Sequence, residues 1–310
     1  MVEAKEIESR KTEILILGGG VAGLSAAVYA SRAGRKTVVL EGRASSRLEL
    51  GYLVENYPGF ISIESTELLR KFKAHAEHFG ARVTGDEATV FSLASNPKYV
   101  TTRKKLYESK SVIIASGKPV SMERMIPGED SLLGMGVSYC ATCDGPIFRG
   151  RKVAVIGDNE EAAEDILALI QMGCEVHWIL KGEKSSLSSA SVSKVDNKDV
   201  PFYENSRVKA IKGEGRVEAV VFEKDRIEEE MRVSGVFIFR ETPSASQFSK
   251  SGIELDHRQC VAVDRFQRTN LEGVYAAGDV TCGGMQIVTA AGEGAVAAIQ
   301  AVKYLRQDED

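Results

Sequence analysis

Residues 12–34 read TEILILGGGVAGLSAAVYASRAG, and this stretch decides the fold. A short apolar run at 14–17 ends at glycine, as a buried strand does. Gly18, Gly20 and Gly23 then match the pattern G-x-G-x-x-G, and small or apolar residues continue at helical spacing after them. A strand, a glycine turn and a helix in this order predict the opening of a Rossmann unit.

The spacing of the three glycines suits a bound dinucleotide. Gly18 permits the tight turn, Gly20 lets the backbone approach a pyrophosphate, and Gly23 lets helix and strand pack closely. The pyrophosphate would then meet the positive end of the helix. A second apolar run, 37–40, ends at Glu41, about twenty residues after the loop, where Rossmann units place the carboxylate that binds a ribose hydroxyl. The alternative is a glycine turn kept only for packing.

Composition excludes several classes of protein. The chain has 310 residues and a formal net charge of −4, a balance that argues against nucleic acid as the partner. It contains no uninterrupted apolar stretch long enough to span a membrane. Its first residues, MVEAKEIESRK, are charged and lack the apolar centre of a signal peptide. We therefore expect a cytoplasmic protein without a membrane partner.

A second stretch, SYCATCDGPIF at 138–148, places Cys140 and Cys143 in a C-x-x-C motif followed at once by Asp144. Structural zinc requires four Cys or His ligands, and no second pair accompanies the motif, so we expect no metal. C-x-x-C also suits a redox disulfide, because it favours a reactive thiolate that exchanges with other disulfides. Asp144 would exchange protons with a sulfur, or would cap a helix or turn. The separate cysteines at 174, 260 and 282 are expected to be small buried or half-buried residues.

The carboxyl-terminal part suggests which dinucleotide binds. A strand at 274–277, a Gly-Asp turn and a long small-residue helix follow one another. This arrangement resembles the FAD-binding half of two-dinucleotide-fold flavoproteins. The resemblance implies that Asp279 binds the ribityl chain of FAD and that Gln286 lies at the amino end of the helix that points at the flavin.

Further motifs occur in the order of one family: VENYPG at 54–59, IIASG at 113–117, IPGE at 126–129, SYCATCDG at 138–145 and TAAGEGAVAA at 289–298. Together they resemble the low-molecular-weight thioredoxin reductases over nearly the whole chain. The resemblance implies FAD as cofactor, with Asn56 and Gly117 in its site. It also implies a homodimer in which Cys143 faces the flavin and Cys140 attacks a thioredoxin-like dithiol protein.

The order of these segments along the chain also predicts the fold. The expected class is α/β, with two Rossmann-like domains, the second inserted into the first. Residues 1–117 and 245–310 would form the FAD-binding domain, and residues 118–244 the central domain that carries the C-x-x-C motif. Within the central domain we expect β-strands in 202–211, 218–224 and 233–239, and a loop at 181–199.

The second dinucleotide motif departs from the family. After the predicted strand at 151–157, Asn159 stands where the family has its middle glycine, and acidic residues crowd the start of the next helix. Such acids suit a helix amino end but repel a phosphate. Leu180, Lys181 and Gly182 replace the His-Arg-Arg type of signature that holds the 2′-phosphate of NADPH. The family's Gly-Gly-Gln before VENYPG is also replaced, by Ser-Ser-Arg at 45–47.

These observations predict a flavin-dependent disulfide oxidoreductase whose electron donor is not NADPH. Ferredoxin, a deazaflavin or a second flavin would supply the electrons instead. Three alternatives stay open on the sequence: an ordinary NADPH-dependent thioredoxin reductase, an FAD-dependent dithiol oxidase that uses oxygen, and a non-catalytic flavin redox sensor.

Overall fold

The computed structural model describes residues 8–42, 46–118, 125–183, 187, 189–239 and 245–307. The chain forms two compact units, one of Met1–Ser121 with Pro243–Asp310 and the other of Met122–Thr242. Part of the predicted Ser-Ser-Arg departure, Ser45, lies outside the described residues. What each unit binds remains a prediction at this stage.

In chain order, the first unit begins with β1 Glu8–Leu17, α1 Val21–Arg32, β2 Thr37–Leu40, β3 Leu53–Val54, β4 Ile63–Glu64, α2 Ser65–His78, β5 Arg82–Thr84, β6 Ala88–Ser92, β7 Lys98–Thr102 and β8 Lys105–Ile114. The second unit contains β9 Val137–Ser138, α3 Ala141–Asp144, β10 Lys152–Ile156, α4 Glu160–Gln171, β11 Glu175–Ile179, α5 Ser189–Asp196, β12 Phe202–Tyr203, β13 Ser206–Lys212, β14 Ala219–Lys224, β15 Ile227–Arg232 and β16 Gly235–Ile238. The first unit resumes with α6 Ser246–Ser249, β17 Val274–Ala276 and α7 Ile287–Gln307.

The sheet of the first unit has β1 at its centre. Its strand order is β5-β2-β1-β8-β7-β6, and β17 also pairs with β8. Strands β2, β1, β8 and β17 run parallel, so the carboxyl ends of β1 and β8 meet at one edge. The apolar run at 14–17 is almost completely buried because α1 and α7 share a core with one face of this sheet. The glycine loop after β1 therefore lies where a Rossmann unit binds its ligand.

The second unit repeats this plan on a smaller scale. A parallel sheet has the order β12-β11-β10-β16-β9, and β13, β14 and β15 form a separate antiparallel sheet. Trp178 and Phe237 are fully buried in its core with one side of α4. Two Rossmann-like units, the second within the first, confirm the predicted α/β class.

Two local predictions in the second unit were wrong, and one strand was missed. Part of the expected loop at 181–199 is the helix α5, which buries Val195 completely in the core. The expected strand 202–211 is two strands, β12 and β13, separated by a turn at Asn205 with φ of +52°. Strand β15 was not predicted, because four of its residues are charged and nearly all of it is exposed, so it has no apolar alternation. Backbone pairing with β14 holds it in place.

Candidate active site

The glycine loop after β1 leaves open space in front of α1. A Cβ atom on Gly18 would lie 2.1 Å from the carbonyl oxygen of Ala115, and one on Gly23 would lie 2.0 Å from the carbonyl oxygen of Gly18. Both positions therefore require glycine. At Gly20 the nearest atom to such a Cβ within the described part of the chain is Ser46 Oγ, at 4.0 Å. The tight turn predicted at Gly18 and the close packing predicted at Gly23 are present, and the pyrophosphate contact at Gly20 stays a prediction.

The amino end of α1 is also free to receive an anion. Gly20 is its N-cap residue, no side-chain cap is seen among the described residues, and no acidic residue stands in its first turn. The N–H groups at a helix start attract negative charge. Ser116, the second residue after β8, lies beside the glycine loop, since its Cα would be 3.0 Å from a Cβ on Gly18. Its buried Oγ has no hydrogen-bond partner among the described residues. An uncapped helix, an open cradle and an unpartnered hydroxyl fit the pyrophosphate part of FAD.

Glu41, the predicted ribose ligand, follows β2 and is already engaged. Its two carboxylate oxygens lie 2.9 and 3.0 Å from Nζ of Lys73, on α2. The pair is partly exposed, so its contribution to stability is small. Lys73 holds the carboxylate beside Gly19, whose hypothetical Cβ would lie 2.5 Å from Glu41 Cγ. The sequence did not reveal Lys73, because no spacing rule links α2 to the end of β2.

Asn56 and Gln286 come together from positions 230 residues apart. The amide Nδ2 of Asn56 donates a hydrogen bond to Oε1 of Gln286 at 3.3 Å. Gln286 immediately precedes α7, and its backbone N–H is 3.1 Å from Oγ1 of Thr289, which caps the helix start. Gly117, three residues after β8, has φ of +61°. The structure thus joins two of the predicted cofactor residues directly and places the third in a turn that favours glycine.

Asp279 lies in a short 3-10 helix, Asp279–Thr281, directly after β17. The preceding residue, Gly278, has φ of +79°, and its N–H donates to Oε2 of Glu293 at 2.7 Å. Burial raises the pKa of Glu293 above its usual 4.5, and the nearby charge of Asp279 acts in the same direction. The analysis of the sequence missed Glu293. The signal that could have indicated it was a single acidic residue among the small residues of α7.

Cys260 and Cys282 form a disulfide, with their Cα atoms 5.9 Å apart. The expectation that both are buried is confirmed, since they are 3% and 8% exposed. The expectation that they are separate is wrong, because the fold brings the turn before Val261 against the loop after β17. Cys174, by contrast, is a buried free thiol, and burial raises its pKa.

The C-x-x-C motif starts in the turn before α3 and continues into that helix. Cys140 is half-buried and disulfide-bonded. Its Sγ lies 3.3 Å from Oγ1 of Thr142, and its N–H donates to Oγ of Ser138 at 3.1 Å. Cys143 belongs to α3, but its side chain lies outside the described part of the structure. The redox role of the pair remains a prediction.

Asp144 ends α3 and stands at the N-cap of the 3-10 helix Gly145–Phe148. Its side chain makes no capping hydrogen bond there, while its backbone N–H donates to the carbonyl of Cys140 at 3.3 Å. Nothing in the cap geometry therefore accounts for a carboxylate at this position. Another side-chain hydrogen bond lies just before the motif, where the hydroxyl of Tyr139 donates to the buried carboxylate of Glu129 at 2.7 Å.

The degenerate loop of the second unit is closed by its own side chains. Oδ1 of Asn159 accepts a hydrogen bond from the N–H of Ala162 at 2.9 Å and so caps α4. The carboxylate of Asp158 accepts from the N–H groups of Lys181 and Gly182, both at 2.9 Å. The sequence predicted acids crowding the helix start, but Asp158 binds the backbone after β11 instead. The side chains of Glu160 and Glu161 lie outside the described part of the structure.

Among the described residues, no three His, Cys, Asp or Glu side chains are grouped so as to hold a metal ion. The ring of His177 stacks on that of Tyr203, and its Nδ1 atom lies 3.1 Å from the Tyr203 hydroxyl oxygen. None of the described helices combines the length and apolar character needed to cross a bilayer.

Comparison with known proteins agrees with this fold. Residues 12–294 match the pyridine nucleotide-disulphide oxidoreductase family. The thioredoxin reductase of Peptoclostridium litorale is 34% identical over 308 residues, which cover 95% of this chain and 97% of that protein. The solved thioredoxin reductase of Giardia duodenalis superposes with a TM-score of 0.84 at 30% identity, covering 96% of this chain and 99% of that one. A ferredoxin-flavin thioredoxin reductase from Clostridium acetobutylicum has a TM-score of 0.53 at 29% identity, covering 97% and 99%.

A two-unit α/β fold with an uncapped glycine loop and a C-x-x-C motif defines a disulfide oxidoreductase of the two-dinucleotide-fold class. The chain belongs to the pyridine nucleotide-disulphide oxidoreductase family and, within it, to the low-molecular-weight thioredoxin reductases. It is a flavoprotein oxidoreductase of the thioredoxin-disulfide reductase type, as the resemblance predicted.

Proposed function

We propose that this protein reduces a thioredoxin-like dithiol protein through FAD and the Cys140–Cys143 pair, and that its electron donor is not NADPH. A reduced ferredoxin is the donor we favour, with a deazaflavin or a second bound flavin as the other possibilities. A homodimer and a cytoplasmic location belong to the proposal on the resemblance alone.

The contrast between the two glycine loops carries the proposal. The helix that would face a pyrophosphate in the first unit, α1, has no side-chain cap from any residue that the structure describes. Its counterpart α4 is capped by Asn159, which takes the N–H of Ala162. Because these helix-end groups are what a phosphate binds, the second unit has little left to offer one.

Asp158 adds a charge of the wrong sign. Its carboxylate occupies the backbone N–H groups of Lys181 and Gly182, after the strand where the family holds the 2′-phosphate of NADPH. A phosphate using those groups would have to displace the carboxylate. A unit negative charge about 4 Å from it would be repelled by about 4 kcal/mol at an effective dielectric constant of 20. The two effects act together against NADPH.

Ferredoxin is favoured by the comparison with the Clostridium acetobutylicum protein, whose name states that it uses ferredoxin and a flavin. Thioredoxin as the acceptor is supported by the names of the relatives. A dithiol oxidase and a redox sensor have no specific support among the described contacts.

FAD, when bound, supplies the transfer of two electrons to a disulfide. In the proposed cycle, the Cys140–Cys143 disulfide takes up two electrons and two protons and becomes a dithiol. The Cys140 thiolate then attacks the partner's disulfide, a mixed disulfide forms, and Cys143 displaces the reduced partner. Asp144 would exchange the protons, and the hydroxyl of Thr142, 3.3 Å from Cys140 Sγ, would donate to the thiolate.

The test uses the FAD-loaded protein without oxygen. Bound flavin is first released from one sample and counted per chain. NADPH, NADH and reduced ferredoxin are then mixed with separate samples, with dithionite as the control for full reduction. We expect reduced ferredoxin to bleach the oxidised flavin absorbance and both nicotinamides to leave it unchanged. Rapid bleaching by NADPH would refute the proposed donor, and more than one flavin per chain would favour the second-flavin route.

A designed gain of function tests the physical reason. Asp158→Ser with Asn159→Gly removes the carboxylate and the cap, so NADPH should bind more tightly than to the unchanged protein and should begin to bleach the flavin. The matched control is Asn197→Gly with Asp199→Ser, a pair of exposed positions after α5 in the same unit. Equal NADPH binding by both variants would show that the two side chains do not exclude the nucleotide.

A further inference from the structure

The Cys260–Cys282 disulfide lies in the first unit, apart from the C-x-x-C motif. It closes a segment of the chain with a sequence separation of 22 residues, and both side chains are buried. Cys282 is the third residue after Asp279, and Gln286 is the fourth residue after Cys282. The cross-link therefore falls between the two carboxyl-terminal residues that we propose for the FAD site.

Two residues of the loop that Cys282 ends have left-handed backbone, which glycine tolerates and cysteine does not favour. Gly278 has φ of +79°, and Cys282 itself has φ of +57°. Residues other than glycine rarely adopt this left-handed conformation, and it persists only where surrounding contacts impose it. Met285, between the disulfide and α7, also has a positive φ, of +49°. The segment that carries Asp279 thus depends on tethers for its shape.

The tethers come mainly from the turn that carries Cys260. Val261 donates its N–H to the carbonyl of Val280 at 2.9 Å, and Nη2 of Arg258 donates to the carbonyl of Cys282 at 3.2 Å. The turn is itself firm, because Oδ1 of Asp256 accepts from the N–H of Cys260 at 2.9 Å. The disulfide is the covalent link between this fixed turn and the strained loop.

We propose that the Cys260–Cys282 disulfide is a positioning element of the FAD site, and that the protein binds FAD tightly only while this disulfide is closed. The inference rests on the proposed role of Asp279. Reduction by a dithiol reagent would convert the disulfide to two thiols as the reagent becomes a disulfide. The loop would then have to be ordered each time FAD binds, which weakens binding.

The main test compares three variants with the unchanged protein: Cys260→Ser, Cys282→Ser and both together. We expect each to weaken FAD binding by about tenfold, and the double variant to equal the single ones, because each already breaks the bond. Hydrogen exchange of the FAD-free proteins should speed up in residues 278–286. Cys174→Ser, at the buried free thiol, is the control. Unchanged FAD affinity and unchanged exchange in folded variants would refute the proposal.

A second arm avoids substitution at the disulfide. In a background with Cys140 and Cys143 replaced by serine, dithiothreitol is titrated while FAD affinity and free thiols are measured. Affinity should fall as two thiols appear beyond that of Cys174, and should return on reoxidation. Two new thiols without loss of affinity would refute the inference. If the unchanged protein binds no FAD at all, the proposed function fails instead, so the two failures are distinct.

Discussion

The carboxylate of Glu293, on α7, lies against the backbone of Gly278, whose N–H donates a hydrogen bond to its Oε2 atom at 2.7 Å. Gly278 directly precedes Asp279, so this contact joins the last helix to the loop proposed to hold the flavin. Burial is the largest cause of the raised pKa of Glu293, and the two hydrogen bonds that it accepts oppose the rise.

The burial of the Glu293 carboxylate predicts a pH dependence of stability. Because the pKa is raised in the folded protein, the folded state binds the proton more tightly than the unfolded chain does. The contribution of Glu293 is therefore fully present below pH 4.5 and is lost as the pH rises through the folded pKa. Its slope is at most about 1.4 kcal/mol per pH unit.

Glu293→Gln keeps an acceptor for Gly278 and removes the titration. The midpoint temperature of thermal unfolding of the first unit, measured from pH 4.5 upwards, should thus fall less steeply with pH in the variant than in the unchanged protein. Glu77→Gln, at an exposed position on α2, is the control. Parallel curves for all three proteins would contradict the prediction.

Helix α7 offers a matched pair of glycines two residues apart. A Cβ on Gly294 would lie 2.0 Å from the carbonyl oxygen of Ala22, on α1, whereas a Cβ on Gly292 has no neighbour within 4 Å. Gly294→Ala should destabilise the first unit by about 1–3 kcal/mol or more through overpacking. Gly292→Ala should stabilise it by up to about 1 kcal/mol through helix propensity. Urea unfolding of both variants checks this, and equal effects would show that α1 and α7 are not packed this closely.

The cap of α4 predicts a loss of stability in the second unit. Asn159→Ala removes the acceptor of the Ala162 N–H and should cost about 1 kcal/mol. Asn197→Ala, at an exposed position after α5, should change stability by less than about 0.5 kcal/mol. Urea unfolding followed by the fluorescence of Trp178, the only tryptophan and fully buried in this unit, reports on both. A larger loss for Asn197→Ala would argue against the cap.

The hydroxyl of Thr142 predicts the reactivity of Cys140. In the reduced protein, Thr142→Val keeps the shape of the side chain but removes a donor 3.3 Å from Cys140 Sγ. Alkylation of Cys140 by iodoacetamide at pH 7 should slow by about fivefold, the effect of losing one modest hydrogen bond. Thr142→Ser retains the hydroxyl and should react like the unchanged protein. Equal rates for the valine and serine variants would exclude this role.

The first glycine loop could be predicted because its determinants are local. Gly18 and Gly23 are required by contacts with the loop itself and with Ala115, and a strand and a helix flank them in sequence. For the second loop, the sequence predicted only that the dinucleotide-binding pattern is incomplete. That Asn159 caps the helix follows from its position, but the binding of Asp158 to amides 23 and 24 residues away depends on how β10 and β11 pair.

Contacts between distant parts of the chain could not be predicted. The spacing of Cys260 and Cys282 in the sequence does not indicate a disulfide. It forms because the loop after β17 lies beside the turn at Asp256. Lys73 reaches Glu41 for the same kind of reason, since α2 returns across the end of β2. Strand β15 was missed because charged residues on both faces conceal its pairing with β14.

The insertion of one unit within the other sets an order of assembly on the ribosome. The second unit is continuous from residue 122 to residue 242, so its strands can pair before the last strand of the first unit has been synthesised. The first unit cannot be completed so early. Strand β17, which pairs with β8, is synthesised only about 160 residues after it, and α7, which packs against α1, is separated from α1 by a still longer stretch of sequence. Such distant pairings are slow to form, and the unpaired edge of β8 is exposed meanwhile. The period in which the amino-terminal half has been synthesised but β17 and α7 have not is therefore the stage of biosynthesis with the greatest risk of aggregation and the greatest need for chaperones.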